Sequence, residues 1–161
     1  MANAGIFATS GSKLYIGGPK TAQAADFVVG DFSSQSWVEI SWMESIGQFG
    51  DESAEITFDA IGQQRTFKLK GNRNAGNLEA VCAIDYLDEG QQNVVLGEKT
   101  TFDYAFKVEF NDEPSAVGTP SIRYFIAKIM TAREMLDGAN NIMKMSMRLG
   151  INSNVVRVDA A

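Results

Sequence analysis

Alternation of apolar and polar residues with a period of two is the feature that most constrains this chain. Residues 37–42 read WVEISW, and residues 54–59 read AEITFD. In an extended strand, such runs place apolar side chains on one face and polar side chains on the other. They predict two half-buried strands joined across a Gly47–Asp51 turn region into a hairpin. The side chains expected to face the core are Val38, Ile40, Trp42, Ala54, Ile56 and Phe58.

Seven further runs, each bounded by turn residues, predict additional strands. They are Lys13–Ile16, Arg65–Lys70, Leu78–Ile84, Asp103–Phe110, Ile122–Thr131, Asn141–Leu149 and Val155–Val158. Many short strands of this kind are typical of a mainly β protein, either a β-sandwich or a barrel.

Asp137-Gly138 separates two of these runs and predicts a hairpin turn. The segment 143–149, MKMSMRL, alternates without exception. The competing interpretation is a helix through Ala132, Met135, Leu136 and Ala139, but Gly138 and the following period of two favour strands.

One flanking helix is predicted from about Asp88 to Leu96. Asp88 can cap the first turn, and Gln91 stands three residues later, as in a capping box. Gly97 is expected to end the helix.

A chain of 161 residues with 45% apolar composition can bury one sizeable core, which predicts a single domain over 1–161. Poorly apolar stretches predict an N-terminal arm at about 1–11 and long loops at about 17–35, 71–77 and 111–120. Such loops are often functional, and unpaired strand edges favour closure by further copies of the chain. There is no apolar run of 18 or more residues and no secretion signal, so no membrane association is expected.

The sequence gives little support for an enzyme. The chain has no histidine and one cysteine, Cys82, which lies among apolar residues and is expected to be a buried hydrophobe. The acidic pairs at 51–52, 88–89 and 112–113 fall at expected turns or at the helix start, where carboxylates are favoured. No enzyme activity, metal or cofactor is therefore predicted.

The formal charge is −6, and the 14 cations are scattered. Specific nucleic-acid binding needs clustered Lys and Arg, so it is not expected.

Several segments follow one another in an informative order. They are RTFKLKGNRNAGNL at 65–78, DEGQQ at 88–92 with Val95-Leu96, YAFKV at 104–108, GANN at 138–141 and GINS at 150–153. This series, within about Ser36 to Val158, resembles the tail tube proteins of bacteriophages with long, non-contractile tails.

The resemblance implies a β-sandwich that assembles into a hexameric ring, with rings stacked into a hollow tube. Two hairpins per subunit would build an inner barrel that holds the tape measure protein and later passes DNA without binding it specifically. Tail terminator and distal tail proteins would be further partners. The protein would be made and assembled in the host cytoplasm and would reside in the virion tail.

Site residues follow from this resemblance. The polar faces of strands 37–42 and 54–59 would line the lumen, with the residues Glu39, Ser41, Glu55, Thr57 and Asp59. Six copies at −6 each carry −36, which would repel DNA phosphates. Inter-ring contacts would involve the arm and the 71–77 loop, with the residues Ala4, Ile6, Phe7, Asn72, Arg73 and Asn74.

The second inner hairpin would pair Ile122–Thr131 with Asn141–Leu149. This pair carries four cations: Arg123, Lys128, Lys144 and Arg148. If they face inward they would weaken an acidic lumen, so the sign of the lumen charge at this hairpin stays open.

Two alternatives remain. One is a tube protein of a type VI secretion or contractile tail system, which shares the architecture. The other is a monomeric ligand-binding sandwich, which would be expected to carry an exposed aromatic platform. The four tyrosines, Tyr15, Tyr86, Tyr104 and Tyr124, are dispersed along the sequence.

Overall fold

The protein is mainly β, as the alternation predicts. A computed structural model describes residues 5–161. In chain order the strands are β1 Lys13–Pro19, β2 Val38–Ile40, β3 Met43–Ser45, β4 Glu52–Asp59, β5 Thr66–Asn74, β6 Asn77–Ala83, β7 Tyr104–Glu109, β8 Ile122–Met135, β9 Lys144–Ile151 and β10 Val156–Val158. A 3-10 helix covers Val29–Phe32 and helix α1 covers Glu89–Glu98. Within residues 5–161, no helix has the length and apolar character needed to cross a bilayer.

Long strand β8 connects the two halves of the main antiparallel sheet. Its first half, Ile122–Ala127, pairs with β7, and its second half, Ala127–Met135, pairs with β9. The sheet order is β2-β1-β7-β8-β9-β6-β3, with β10 added beside the start of β8. Strand β8 belongs to both halves, so the two halves of the sheet enclose one core. Leu14 and Phe106 from the first half pack there with Leu78 and Met147 from the second half.

Residues 17–35 are more ordered than a long loop. Strand β1 continues to Pro19, and Phe27 and Phe32 are buried in a second core on the other face of the sheet, with Ala105 and Ile126. The Phe32 and Tyr124 rings stack with centroids 5.2 Å apart. The sequence prediction failed because two separated aromatic residues give no periodic signal.

Helix α1 begins as predicted but ends differently. The Asp88 carboxylate accepts a hydrogen bond from the Gln91 backbone N–H at 2.9 Å, which caps the first turn. Gly97 lies inside the helix rather than after it, and a Cβ there would collide with Ile129 and Tyr104. The glycine therefore permits close packing of the helix on the sheet.

Gly90 makes a second close approach, because its Cα faces the backbone carbonyl of Glu39. Helix propensity alone would favour Gly90→Ala by up to about 1 kcal/mol. We expect the opposite, a loss of about 2 kcal/mol of unfolding free energy in urea, because the new methyl overlaps backbone atoms that cannot rotate away. The control is Gly138→Ala, whose Cβ would meet its nearest neighbour at 3.7 Å. A stabilised Gly90→Ala variant would contradict the packing.

The predicted hairpin between strands 37–42 and 54–59 is wrong. Strand β2 pairs with β1, and β4 pairs with β5 as a separate two-stranded sheet. Trp42 explains part of the difference, because its φ of 61° breaks the extended backbone after β2. The chain then enters β3, which was not predicted and which pairs with β6.

Two other predictions hold and a third is wrong in part. Strands β8 and β9 form an antiparallel hairpin across Asp137-Gly138, so the helical alternative through Ala132 is wrong. Cys82 is buried in the main core. The predicted loop at 71–77 shrinks to Ala75-Gly76, because Gly71–Asn74 completes β5 and Asn77 begins β6.

Candidate functional site: an assembly surface

The hairpin formed by β4 and β5 has one face that is apolar along most of its length. Residues opposite each other in an antiparallel pair share a face, and Ile56 stands opposite Leu69 while Phe58 stands opposite Phe67. These side chains are 49%, 61%, 60% and 44% exposed in that order. The prediction that Ile56 and Phe58 face the core of their own subunit is therefore wrong.

The other face of the hairpin is polar. Glu55, Thr57 and Asp59 do share this face, where they stand opposite Lys70, Lys68 and Thr66. Lys68 Nζ lies 3.5 Å from Glu55 Oε1. Two carboxylates and two ammonium groups make this face nearly neutral, whereas the sequence predicted an acidic surface.

Both outer edges of the hairpin are free of strand partners within residues 5–161. An isolated two-stranded ribbon is marginally stable in water, and its open edges can pair with another chain. An ion pair between Arg73 and Asp51 and the buried Ala75 fix the base of the ribbon. The hairpin thus projects two edges and one apolar face toward further molecules.

Glu39 and Ser41, also predicted to line the lumen, lie elsewhere. Glu39 is on β2, with Oε2 3.9 Å from Lys13 Nζ. Ser41 lies at the start of helix α1, where its N–H donates to the Asp88 carboxylate at 3.3 Å. The structure does not place these two residues on the β4–β5 hairpin.

The cations of β8 and β9 have different environments. Arg123 is buried, donates to the carbonyl oxygens of Ile122 and Val158, and pairs with Asp159 at 3.2 Å. Burial lowers the pKa of Arg123.

Arg123 is therefore a buried, hydrogen-bonded part of the fold. Lys128 pairs with Asp103 at 3.4 Å and Lys144 with Glu44 at 2.9 Å. Arg148 is exposed opposite Glu79.

The predicted inter-ring residues fall in two places. Ala4 lies outside the described residues. Ile6 and Phe7 are exposed, and Phe7 lines a groove of about 340 Å³ with Phe49 and Phe110. Residues 72–74 are exposed strand residues at the base of the hairpin, not loop residues.

The C-terminal residues hold the 111–120 loop against the sheet. The Ala161 and Thr119 backbones exchange hydrogen bonds, and the Asp112 carboxylate accepts from the Ser121 N–H at 2.7 Å and from its hydroxyl at 2.6 Å. Burial opposes the charged form, but the bonds from Ser121 outweigh it and lower the pKa of Asp112.

This shift gives a pH prediction. A carboxyl with a lowered folded-state pKa stabilises the fold above its unfolded pKa, about 3.9, and the stabilisation is lost as pH falls through the lower folded value. We expect Asp112→Asn to lower the unfolding free energy by about 1 kcal/mol at pH 7. The difference from the native chain should shrink as pH falls below about 3.9 in urea titrations. A constant difference from pH 7 to pH 3 would contradict the role of the ionised Asp112.

A second exposed apolar surface surrounds helix α1. We call it the helix patch and define it as Trp42, Tyr86, Leu87, Val95 and Leu96. Trp42, Tyr86, Leu87 and Leu96 are 66%, 80%, 74% and 60% exposed. The Trp42 indole N–H donates to Asp85 Oδ2 at 3.2 Å, which holds the ring at the edge of the patch.

A groove of about 370 Å³ lies within the helix patch, between Tyr86, Leu96, the end of β8 and the start of β9. The sequence analysis did not predict the helix patch. The apolar residues at 86–96 lie close to the predicted helix start, but which of them are exposed depends on the face of the helix that packs on the sheet.

Comparison with solved structures identifies the fold. The chain is similar to a protein of the anti-feeding prophage baseplate, with a TM-score of 0.69 at 13% identity over 96% of this chain and 97% of that one. It is similar to the SPP1 tail tube, with a TM-score of 0.60 at 13% identity over 92% and 76%. It is also similar to a sheath/tube terminator structure of an extracellular contractile injection system, with a TM-score of 0.64 at 9% identity over 95% and 96%.

No protein-family model and no curated protein matches the sequence. The chain thus has the fold of tail tube and related baseplate proteins. The resemblance seen in the sequence is confirmed at the level of this fold.

Proposed function

We propose that this protein is a non-enzymatic structural subunit of a tail tube, in which hexameric rings stack into a hollow conduit. The β4–β5 hairpin carries the proposal, because its apolar face is uncovered and its edges are unpaired within the described chain. A ring of copies would cover that face and pair those edges. The similar baseplate structure is described as six-fold symmetrised, which supports six copies per ring.

The polar face of the hairpin would line the lumen, with Glu55, Thr57 and Asp59 exposed to the channel. Lys68 and Lys70 share this face, so the lining is close to neutral and offers DNA no dense cationic surface to bind. The lumen would hold a tape measure protein first and pass DNA afterwards. Glu39 and Ser41 are left out, because the hairpin that grouped them with this face is not formed.

The β8–β9 hairpin would supply the second pair of inner strands, with Arg148 on its exposed face. The arm residues Ile6 and Phe7 would contact the next ring, because both are exposed and Phe7 lines a groove with Phe49 and Phe110. Tail terminator and distal tail proteins would bind the two ends of the tube. The protein would assemble in the host cytoplasm and reside in the virion tail.

A contractile system is the second candidate. Two of the three similar structures described above come from an anti-feeding prophage baseplate and a contractile injection system. The same subunit would then line an inner tube surrounded by a sheath.

Electron microscopy of the purified chain tests the proposal. We expect hollow rings or filaments with six subunits per layer, and their number should increase with protein concentration. Analytical ultracentrifugation of the same samples measures the mass of the free species. A protein that stays monomeric at millimolar concentration and shows no ring would contradict a tube function.

A further inference from the structure

Ring closure requires two different surfaces on each copy. In a head-to-tail ring, one surface of each subunit contacts another surface of the next, whereas contact between identical surfaces closes a dimer. The apolar face of the β4–β5 hairpin is one such surface. Its complement has to be another exposed apolar surface of the same chain.

The helix patch is an exposed apolar surface, as the hairpin face is. The hairpin face is a ribbon from which two aromatic and two aliphatic side chains project. The patch provides a groove of about 370 Å³ lined by Tyr86, Val95 and Leu96. Trp42 and Tyr86 are large, exposed and partly positioned, as is typical of residues that anchor interfaces.

Charge also distinguishes the two surfaces. Between Asp59 and Glu79 the chain has four cations and no carboxylate, and all four cations lie on or next to β5: Arg65, Lys68, Lys70 and Arg73. Between Arg73 and Lys99 it has five carboxylates and no cation, and four of them lie at or near α1: Asp85, Asp88, Glu89 and Glu98. Opposite charges favour contact between Arg65 and α1, and like charges disfavour helix–helix contacts. The hairpin as a whole is neutral, because four carboxylates at 51–59 balance its four cations.

We propose that the apolar face of the β4–β5 hairpin docks on the helix patch of the neighbouring copy, with Arg65 at the tip of the hairpin beside anionic α1. This inference rests on the proposed tube function and specifies which surfaces meet within a ring. It implies that ring formation weakens as salt concentration rises, because part of the attraction is between exposed charges.

Cysteine cross-linking tests the pairing directly. Phe58→Cys and Leu96→Cys are introduced into separate chains that carry tags of different size. The native thiol does not interfere, because Cys82 is buried and burial raises its pKa to about 11. After oxidation of the mixture we expect a mixed dimer at a yield at least about tenfold above the control, since docking raises the local thiol concentration.

The control pairs Phe58→Cys with Val117→Cys, a fully exposed position in the 111–120 loop. Efficient cross-linking of Phe58→Cys chains to each other, or equal yields with Val117→Cys, would overturn the pairing. Native rings without Phe58–Leu96 cross-links would overturn it too and leave the tube function standing. Absence of rings from the native chain would remove the tube function and this inference together.

Charge reversal gives an independent readout. Arg65→Glu or Glu89→Lys places like charges together, and we expect each single variant to raise the critical assembly concentration about threefold. Combining the two changes restores opposite charges and should restore assembly. A combined variant that assembles no better than either single variant would overturn the pairing.

Discussion

Gln91→Leu is expected to lower the free energy of unfolding by at least about 3 kcal/mol. The Gln91 amide is 4% exposed and makes three hydrogen bonds to backbone atoms. Its oxygen accepts from Asp85 N–H at 3.0 Å, and its nitrogen donates to the carbonyl oxygens of Ser41 at 3.1 Å and Ala83 at 2.9 Å. Leucine removes all three partners, and each polar group left unsatisfied costs about 1–3 kcal/mol.

Gln92→Leu is the matched control, because Gln92 is the next residue of the same helix but is exposed and makes one side-chain bond, to the Tyr86 carbonyl. We expect it to change stability by less than about 1 kcal/mol. Urea denaturation of both variants, followed by circular dichroism, measures the difference. Equal stabilities of the two variants would show that Gln91 does not connect α1 to β6 and to the segment between β2 and β3.

Gln91 also shows where sequence reasoning succeeds and where it stops. The spacing from Asp88 correctly indicated a helix start, because capping is a local interaction. The side chain of Gln91 does not bond back to Asp88 in a capping box. It bonds instead to the backbone of two segments outside its own turn, at Ser41 and at 83–85. Such contacts depend on the packing of whole elements, which the local pattern does not contain.

Strand prediction succeeded for the same local reason, and strand pairing failed for a nonlocal one. The alternation of WVEISW and AEITFD identified β2 and β4 correctly. It did not show that Trp42 leaves the extended conformation, or that β4 would pair with the next strand along the chain. Alternation was also taken to mean burial in the same subunit, yet Ile56 and Phe58 are exposed. An amphipathic strand shows that one face needs a cover, but not which molecule provides it.

Phe58→Asp combined with Leu69→Asp is expected to abolish ring formation and leave the subunit folded. Both side chains lie on the uncovered face of the hairpin, where they make no part of either buried core. Two carboxylates buried without partners in a subunit contact would cost several kcal/mol per interface, more than a marginal contact supplies. Electron microscopy should show no rings at concentrations at which the native chain assembles.

The matched control changes the opposite face of the same ribbon. Thr57→Asp with Thr66→Asp adds the same charge on the polar side, which the proposed ring leaves in water, so rings should persist. Circular dichroism and urea unfolding confirm that both variants are folded. If the Phe58 and Leu69 variant still forms rings, the apolar face is not the contact surface. If both variants lose their rings, added charge disrupts assembly on either face, and the apolar character of this face does not explain assembly.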